Sequence, residues 1–225
     1  MNRGDAWYVR LLHRIVARPA VYDAIQRIAG LEQTRKRLRP FLRSADGLVV
    51  DIGAGTGNFF DLLPLPGLYV WFDNDPVKLK GFKKKHSAAL AVLGDASRMP
   101  IRDKSVDLAL CVAVSHHLTD AELDGFLADA ARISRRGLIF VDATRHPHSL
   151  VSWLLWKYDR GSNPRPVAQL RGMIQRHFNI ELEECYRTFH RFFLCVATPT
   201  RDSSRTEPTP ADNHSGFPTK PSTVP

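Results

Sequence analysis

The sequence predicts an α/β fold, a mostly parallel sheet with helices on both faces, entered through a helical N-terminal segment. Three observations predict it. Val49-Val50-Asp51 runs into glycines at 53, 55 and 57, the pattern of a buried strand ending in a tight turn. Strand-like apolar runs then alternate with helical stretches, which argues for a parallel sheet covered on both faces. Two strand-like runs near the end follow one another across a very short link, which a fold built only from βα units would not show.

The elements follow in order. Trp7, Tyr8, Leu11, Leu12, Ile15 and Val16 recur at helical spacing. Pro19 opens a second helix carrying Val21, Tyr22, Ile25 and Ile28, with Gly30 past its end. A short basic helical turn holding Arg35, Lys36, Arg37 and Arg39 follows, and Pro40 is expected to interrupt it. Strands are expected at 48–51, 68–73, 89–93, 106–112 and 138–142. Helices are expected from the glycine turn to Leu63, from Pro76 to about His86, from the capping box Thr119-Asp-Ala-Glu122 to about Ile133, at 149–158 and at 167–177. Runs 179–186 and 189–198 read as a terminal antiparallel pair. Residues 199–225 are rich in Pro, Ser and Thr and read as a disordered tail. The organisation is therefore a basic helical cap (1–44), one α/β domain (45–198) and a tail (199–225).

Charge separates these parts. The net +9 is concentrated in residues 1–44, which hold ten Lys/Arg against three Asp/Glu. A basic cap is suited to an anionic membrane surface, nucleic acid or an acidic substrate. No apolar run reaches the ~18 residues of a membrane span, and no secretion-type leader is expected. Cys111, Cys185 and Cys195 lie in strand-like runs without metal spacing and read as reduced core thiols, which points to the cytoplasm. No metal site is expected, and His146-Pro-His148 reads as loop.

The glycine turn carries the chemistry. A dinucleotide fold wants G-x-G-x-x-G, but its third glycine position is Asn58 here, and the chain reads D-x-G-x-G-T-G. That turn resembles motif I of the class I S-adenosylmethionine-dependent methyltransferases. Four further segments fall in that family's order: Trp71-Phe-Asp-Asn-Asp-Pro76, Gly94-Asp-Ala96, Met99–Asp107 and Ser115-His-His-Leu118. The likeness spans roughly residues 45–198 and is nearest to the ubiquinone/menaquinone-type small-molecule branch, often called the methyltransferase-11 type. It departs from the family at Arg135-Arg-Gly-Leu138, where Pro-Gly-Gly is usual before the fifth strand.

The resemblance implies a Rossmann-like seven-stranded sheet of order 3-2-1-4-5-7-6 with the last strand antiparallel. It implies S-adenosylmethionine as cofactor, held by Asp51, Gly53, Ala54, Gly55, Gly57, Asp73, Asn74, Asp95, Ala96 and Val112. Asp73 is the expected ribose ligand, 22 residues after Asp51, a usual spacing for that role. Asn74 is expected against the adenine and Asp95-Ala96 at its edge. Asp75, before Pro76, suits a helix cap instead. Because the sulfonium methyl is already activated, a base is needed only where the acceptor carries a proton. His117 is the candidate and His116 its weaker neighbour.

The acceptor is expected to be small and aromatic, isoprenoid or lipid-like. The Pro-Pro-Tyr/Phe signature of amino methylation in nucleic acid, the Pro-Cys nucleophile of RNA methylation and the glutamate hairpin of arginine methylation are not found. Trp153, Leu154, Trp156 and Tyr158, with Trp7, Tyr8 and Leu11, are suited to a lid, and Arg160 and Arg165 to an acidic group on the acceptor. Peripheral contact of residues 1–44 with an anionic membrane would bring a lipid acceptor within reach. Two other readings stand beside this one: methylation of nucleic acid or protein docked on the basic cap, and a non-catalytic cofactor-binding subunit.

Overall fold

In the computed structural model, residues 30–65, 68–144, 163–188 and 190–200 are described. Seven strands form one sheet: β1 (Val49–Ile52), β2 (Tyr69–Asp73), β3 (Leu90–Leu93), β4 (Val106–Val112), β5 (Ser134–Thr144), β6 (Phe178–Arg187) and β7 (Arg191–Pro199). Their spatial order is β3-β2-β1-β4-β5-β7-β6, as expected. Pairs among β1 to β5 are parallel, and β7 runs antiparallel to both β5 and β6.

Alternation along the strands divides the core into two layers. Val49, Tyr69, Trp71, Leu108 and Leu110 face one side and pack with Leu38, Phe41 and Leu42 of α1 (Glu32–Arg43) and Phe82 of α2 (Pro76–Lys85). Val50, Ile52, Val70, Phe72 and Cys111 face the other, against Leu123, Phe126 and Leu127 of α3 (Asp120–Ile133) and Leu170 and Ile174 of α4 (Val167–Ile174). Both faces of β1 and β2 are covered, and every residue of those strands is buried. The edge strand β3 is the exception, with Leu90 and Leu93 half exposed.

Four expectations are corrected. Pro40 does not interrupt its helix, because α1 runs through it to Arg43. The burial of Leu38, Phe41 and Leu42, worth about 1.5–3 kcal/mol each as an upper bound, outweighs one missing hydrogen bond near the helix end. The glycine turn leads to only a short 3-10 turn, Phe60–Leu62, because three left-handed glycines precede it and Pro64 follows. The fifth strand, expected at 138–142, already includes Arg135–Gly137 in β5. Gly137 sits at φ 143°, where an added Cβ would lie 2.0 Å from the Ala197 carbonyl oxygen of β7, so the close approach of β7 requires glycine. Cys185 is exposed on the edge strand β6, whereas Cys111 and Cys195 are buried.

The capping box forms as expected. Thr119 Oγ1 accepts from the Glu122 amide, and the Glu122 carboxylate accepts from the Thr119 amide. Among the described residues no helix is long and apolar enough to cross a membrane. The helices expected within 1–29 and 149–158, the lid aromatics, His146, His148, Arg160 and the tail from 201 lie outside the described residues.

Candidate active site

The carboxyl ends of β1, β2 and β3 bring the glycine turn and two acidic residues together. Gly53, Gly55 and Gly57 all adopt positive φ (73°, 56° and 76°). A Cβ on Gly53 would sit 2.2 Å from Val114, and one on Gly57 2.5 Å from Phe82. At Gly55 nothing lies nearer than 3.9 Å, so this glycine opens on space rather than on protein. The turn is anchored to β2 at several points. The Gly53 and Ala54 amides donate to the Phe72 carbonyl (2.8 and 3.1 Å), and Trp71 Nε1 donates to the Gly55 carbonyl (2.9 Å).

Asp73 ends β2 and is 6% exposed. Its Oδ2 accepts from the Gly55 amide (2.8 Å) and its Oδ1 from the Asp75 amide (3.0 Å). Each oxygen keeps a second lone pair. Asp75 is the helix cap, accepting from the Val77 and Lys78 amides. The Gly94 amide donates to the Asp73 carbonyl (3.0 Å), which brings the Asp95-Ala96 turn beside Asp73. Asp95 is exposed and uses Oδ1 for the Ser97 amide and hydroxyl. Asn74 is exposed next to Asp73, and Val112 is half-buried at the end of β4.

Asp51 differs from the rest of its expected set. It is 1% exposed, points into the α1–α2 side of the core and accepts from the Tyr69 hydroxyl (2.5 Å). Burial pushes its carboxyl up, the Tyr69 hydrogen bond opposes this, and the Asp73 charge adds to it, for a value of about 7. Asp51 is thus held in the core by Tyr69, two residues before the first glycine of the turn.

Beyond β4 the chain makes a second, side-chain-built arrangement. Ala113 takes φ 58°, uncommon for a residue with a Cβ, and its amide donates to the Val141 carbonyl (2.8 Å). A 3-10 turn, Ser115–His117, follows. Asp142 of β5 lies 1% exposed and takes most of this turn's polar groups: the Ser115 hydroxyl, the His116 amide (3.2 Å) and His116 Nδ1 (2.6 Å). Burial raises the Asp142 carboxyl, but the charge and hydrogen bond of His116, with Ser115 and the Ala143 amide, outweigh it and hold it below the usual carboxylate range. His116 is 6% exposed, and His117 is exposed with its ring centroid 4.2 Å from that of His116.

Arg165 closes the turn from outside. It is 4% exposed and donates to the carbonyls of Ser115 and Leu118 (2.7 Å each) and to Asp120 (2.7 Å). Its expected role as an anion holder for the acceptor is corrected, since its donors are committed to the turn. Trp71, Asp142 and the clamp function of Arg165 were missed from sequence. Trp71 lies in the middle of β2 and reads as core, and a polar residue at the end of the apolar run 138–142 is the only signal Asp142 gives.

A family described as "Methyltransferase domain" matches residues 50–141, from β1 through most of β5. Residues 50–141 are therefore matched as a methyltransferase domain, carried on the sheet order described above. A phthiotriol/phenolphthiotriol dimycocerosates methyltransferase of Mycobacterium tuberculosis is 31% identical over 138 residues, 60% of this chain and 48% of the relative. An uncharacterized methyltransferase of Geobacillus sp. (strain WCH70) is 29% identical over 102 residues, 44% of this chain and 48% of the relative. The chain thus spans about half the length of the curated relatives it matches. Among solved structures, magnesium protoporphyrin IX methyltransferase of Synechocystis PCC 6803 with bound SAH superposes with TM-score 0.64 at 17% identity, covering 85% of this chain and 99% of that one. That likeness concerns the fold.

The methyltransferase domain's cradle fits S-adenosylmethionine on its own geometry. Gly55 leaves room where a side chain would intrude, Asp73 retains lone pairs for a diol, and Asp95 keeps Oδ2 outside its Ser97 bonds. When bound, the cofactor supplies an activated methyl group. The chain's part is to hold it, exclude water and handle any proton on the acceptor.

Proposed function

We propose that this protein transfers a methyl group from S-adenosylmethionine to a small, apolar, lipid-like acceptor. One observation carries the reading: the ordered His116–His117 turn, held over Asp142, lies at the carboxyl ends of β4 and β5 next to the glycine cradle. An open α/β sheet binds ligands at that end. A positioned histidine there suits a small acceptor brought close to the methyl donor. The mycobacterial relative, named for methylating a dimycocerosate lipid, supports an apolar acceptor.

The basic segment 1–44 supports a further part of the proposal, peripheral contact with an anionic membrane that presents the acceptor. Co-sedimentation with vesicles containing phosphatidylserine, lost at high salt, is the expected result. Binding indifferent to anionic lipid contradicts it. The acceptor class is tested by incubating the full chain with methyl-labelled S-adenosylmethionine and separated lipid, RNA and protein fractions of a cell extract. Label is expected in the lipid fraction. Label in RNA or protein instead would replace this reading with the macromolecular one.

A further inference from the structure

The two helical layers carry opposite charge. On one face of the sheet, α1 and α2 hold ten Lys/Arg against one Glu. On the other, α3 and α4 hold two Arg against four Asp/Glu. The basic pair forms one continuous layer, joined through the Phe60–Leu62 turn. Arg35 of α1 binds Asp61 (2.6 Å), and Phe60 packs on Phe82 of α2 with ring centroids 5.7 Å apart.

Helical spacing sorts the side chains of this layer. Thr34, Leu38, Phe41 and Leu42 of α1 are buried, which leaves Lys36, Arg39 and Arg43 on its exposed face. Phe82 of α2 is buried, and Val77, Lys80, Gly81 and Lys84 form an exposed stripe at i, i+3, i+4 and i+7, with Lys85 exposed at the end. Among the described residues Lys36, Arg43, Lys80, Lys84 and Lys85 enter no ion pair. Other cations of the layer are committed: Arg35 to Asp61, Arg37 to Glu184, and Lys83 to the Ser87 and Ala89 carbonyls. Lys80 and Lys84, at i and i+4, repel each other, so α2 carries this charge at a cost to its own stability.

We propose that the outward face of α1 and α2 docks on an anionic lipid bilayer, with the sheet lying along the membrane and the α3–α4 layer turned away. The inference rests on the membrane contact proposed for residues 1–44 and deepens it, adding α2 and fixing the orientation. The chemistry of the face selects the partner. A bilayer is a flat, diffuse negative surface, and four of the six outward cations are lysines, compact point charges suited to such a field. Val77, 67% exposed in the lysine stripe, offers an aliphatic side chain to the interface. Single-stranded RNA is gripped by aromatic stacking platforms. Here Phe41 and Phe82 are buried, and Phe60 is packed among Tyr69, Phe82 and His86. The same membrane repels the acidic α3–α4 layer, so the two layers together set one orientation. In that orientation the carboxyl ends of the strands, with the glycine cradle, open along the bilayer surface.

The test uses the full chain and vesicles of phosphatidylcholine with about one-third phosphatidylserine. Wild type should co-sediment, with affinity falling as salt rises. The triple variant Lys80→Gln, Lys84→Gln and Lys85→Gln should bind about 100-fold more weakly at an unchanged melting temperature. A control with Arg98→Gln, Arg102→Gln and Arg176→Gln removes the same charge from exposed positions outside the layer and should bind like wild type. Acetylation footprinting of wild type reads the orientation: vesicles should protect Lys36, Lys80, Lys84 and Lys85. Equal loss in the two triple variants, or unprotected Lys80 and Lys84 in bound protein, overturns the proposal while membrane contact through residues 1–44 stands. Wild type indifferent to phosphatidylserine defeats that contact and the proposal together. Salt-dependent binding to single-stranded RNA or to a second copy of the chain, lost in the α2 variant and not competed by vesicles, overturns the proposal in favour of that partner.

Discussion

The two halves of the site are built in different ways. The β1–β3 half is made of backbone: three left-handed glycines, two amides on one carbonyl and a carboxylate at a strand end. The β4–β5 half is made of side chains from distant parts of the chain, with Asp142 lying 26 residues from His116 and Arg165 lying 50 residues from Ser115. The difference teaches that a cofactor cradle can be fixed by local conformation, whereas the chemistry beside it depends on long-range packing. Changes in the first half should act on cofactor affinity, and changes in the second on turnover and local stability.

The largest expected effect is on the first half. Asp73→Ala removes the carboxylate expected to hold the ribose and leaves the Gly55 amide without its acceptor. Two charge-assisted hydrogen bonds at about 1.5–3 kcal/mol each imply a loss of about 100-fold or more in S-adenosylmethionine affinity by titration calorimetry. Unchanged affinity would remove Asp73 from the site. Gly55→Val should follow, since it fills the open side of the turn and forces φ 56° on a β-branched residue. A melting temperature lowered by only a few degrees alongside a large affinity loss would set cradle filling apart from misfolding.

Arg165→Leu tests the second half. It strips the Ser115 and Leu118 carbonyls of a buried cation, and should cost about 3 kcal/mol, or roughly 6–12 °C in thermal melting. Cofactor affinity should change little. Equal damage to both readouts would mean that the halves are not separable.

Asp51→Asn has the smallest effect and depends on pH. The folded value of about 7 lies above the unfolded 3.8, so the folded state keeps a proton that the unfolded chain releases. This group's contribution is full below about pH 4 and is lost as pH rises through about 7. Asp142 has the opposite sign, because its depressed value gives stability that is present at neutral pH and lost on acidification. In Asp51→Asn the fall in melting temperature between pH 5 and pH 8 should flatten. A fall as steep as in wild type would show that Asp51 is ionised throughout.

The same contrast explains what could be read in the sequence. The strand order, the glycine turn, the Asp75 cap and the Thr119 capping box were all legible, because each rests on local spacing or on a resemblance carried by contiguous residues. Asp142, Trp71 and the Arg165 clamp were not, since nothing near them in the chain shows what they touch. The surroundings of Asp51 were hidden for a related reason. Its motif position is local, but the side of the strand on which it lies puts it beside Tyr69. Pro40 misled because helix-breaking is a local rule, and the burial of Leu38, Phe41 and Leu42 is a tertiary effect.

The division of labour between the halves is tested most directly by titrating S-adenosylmethionine into wild type, Asp73→Ala and His116→Gln. The account predicts equal, tight binding by wild type and His116→Gln and binding weaker by about 100-fold or more in Asp73→Ala. Equal affinity in all three, or a loss in His116→Gln as large as that in Asp73→Ala, would contradict it.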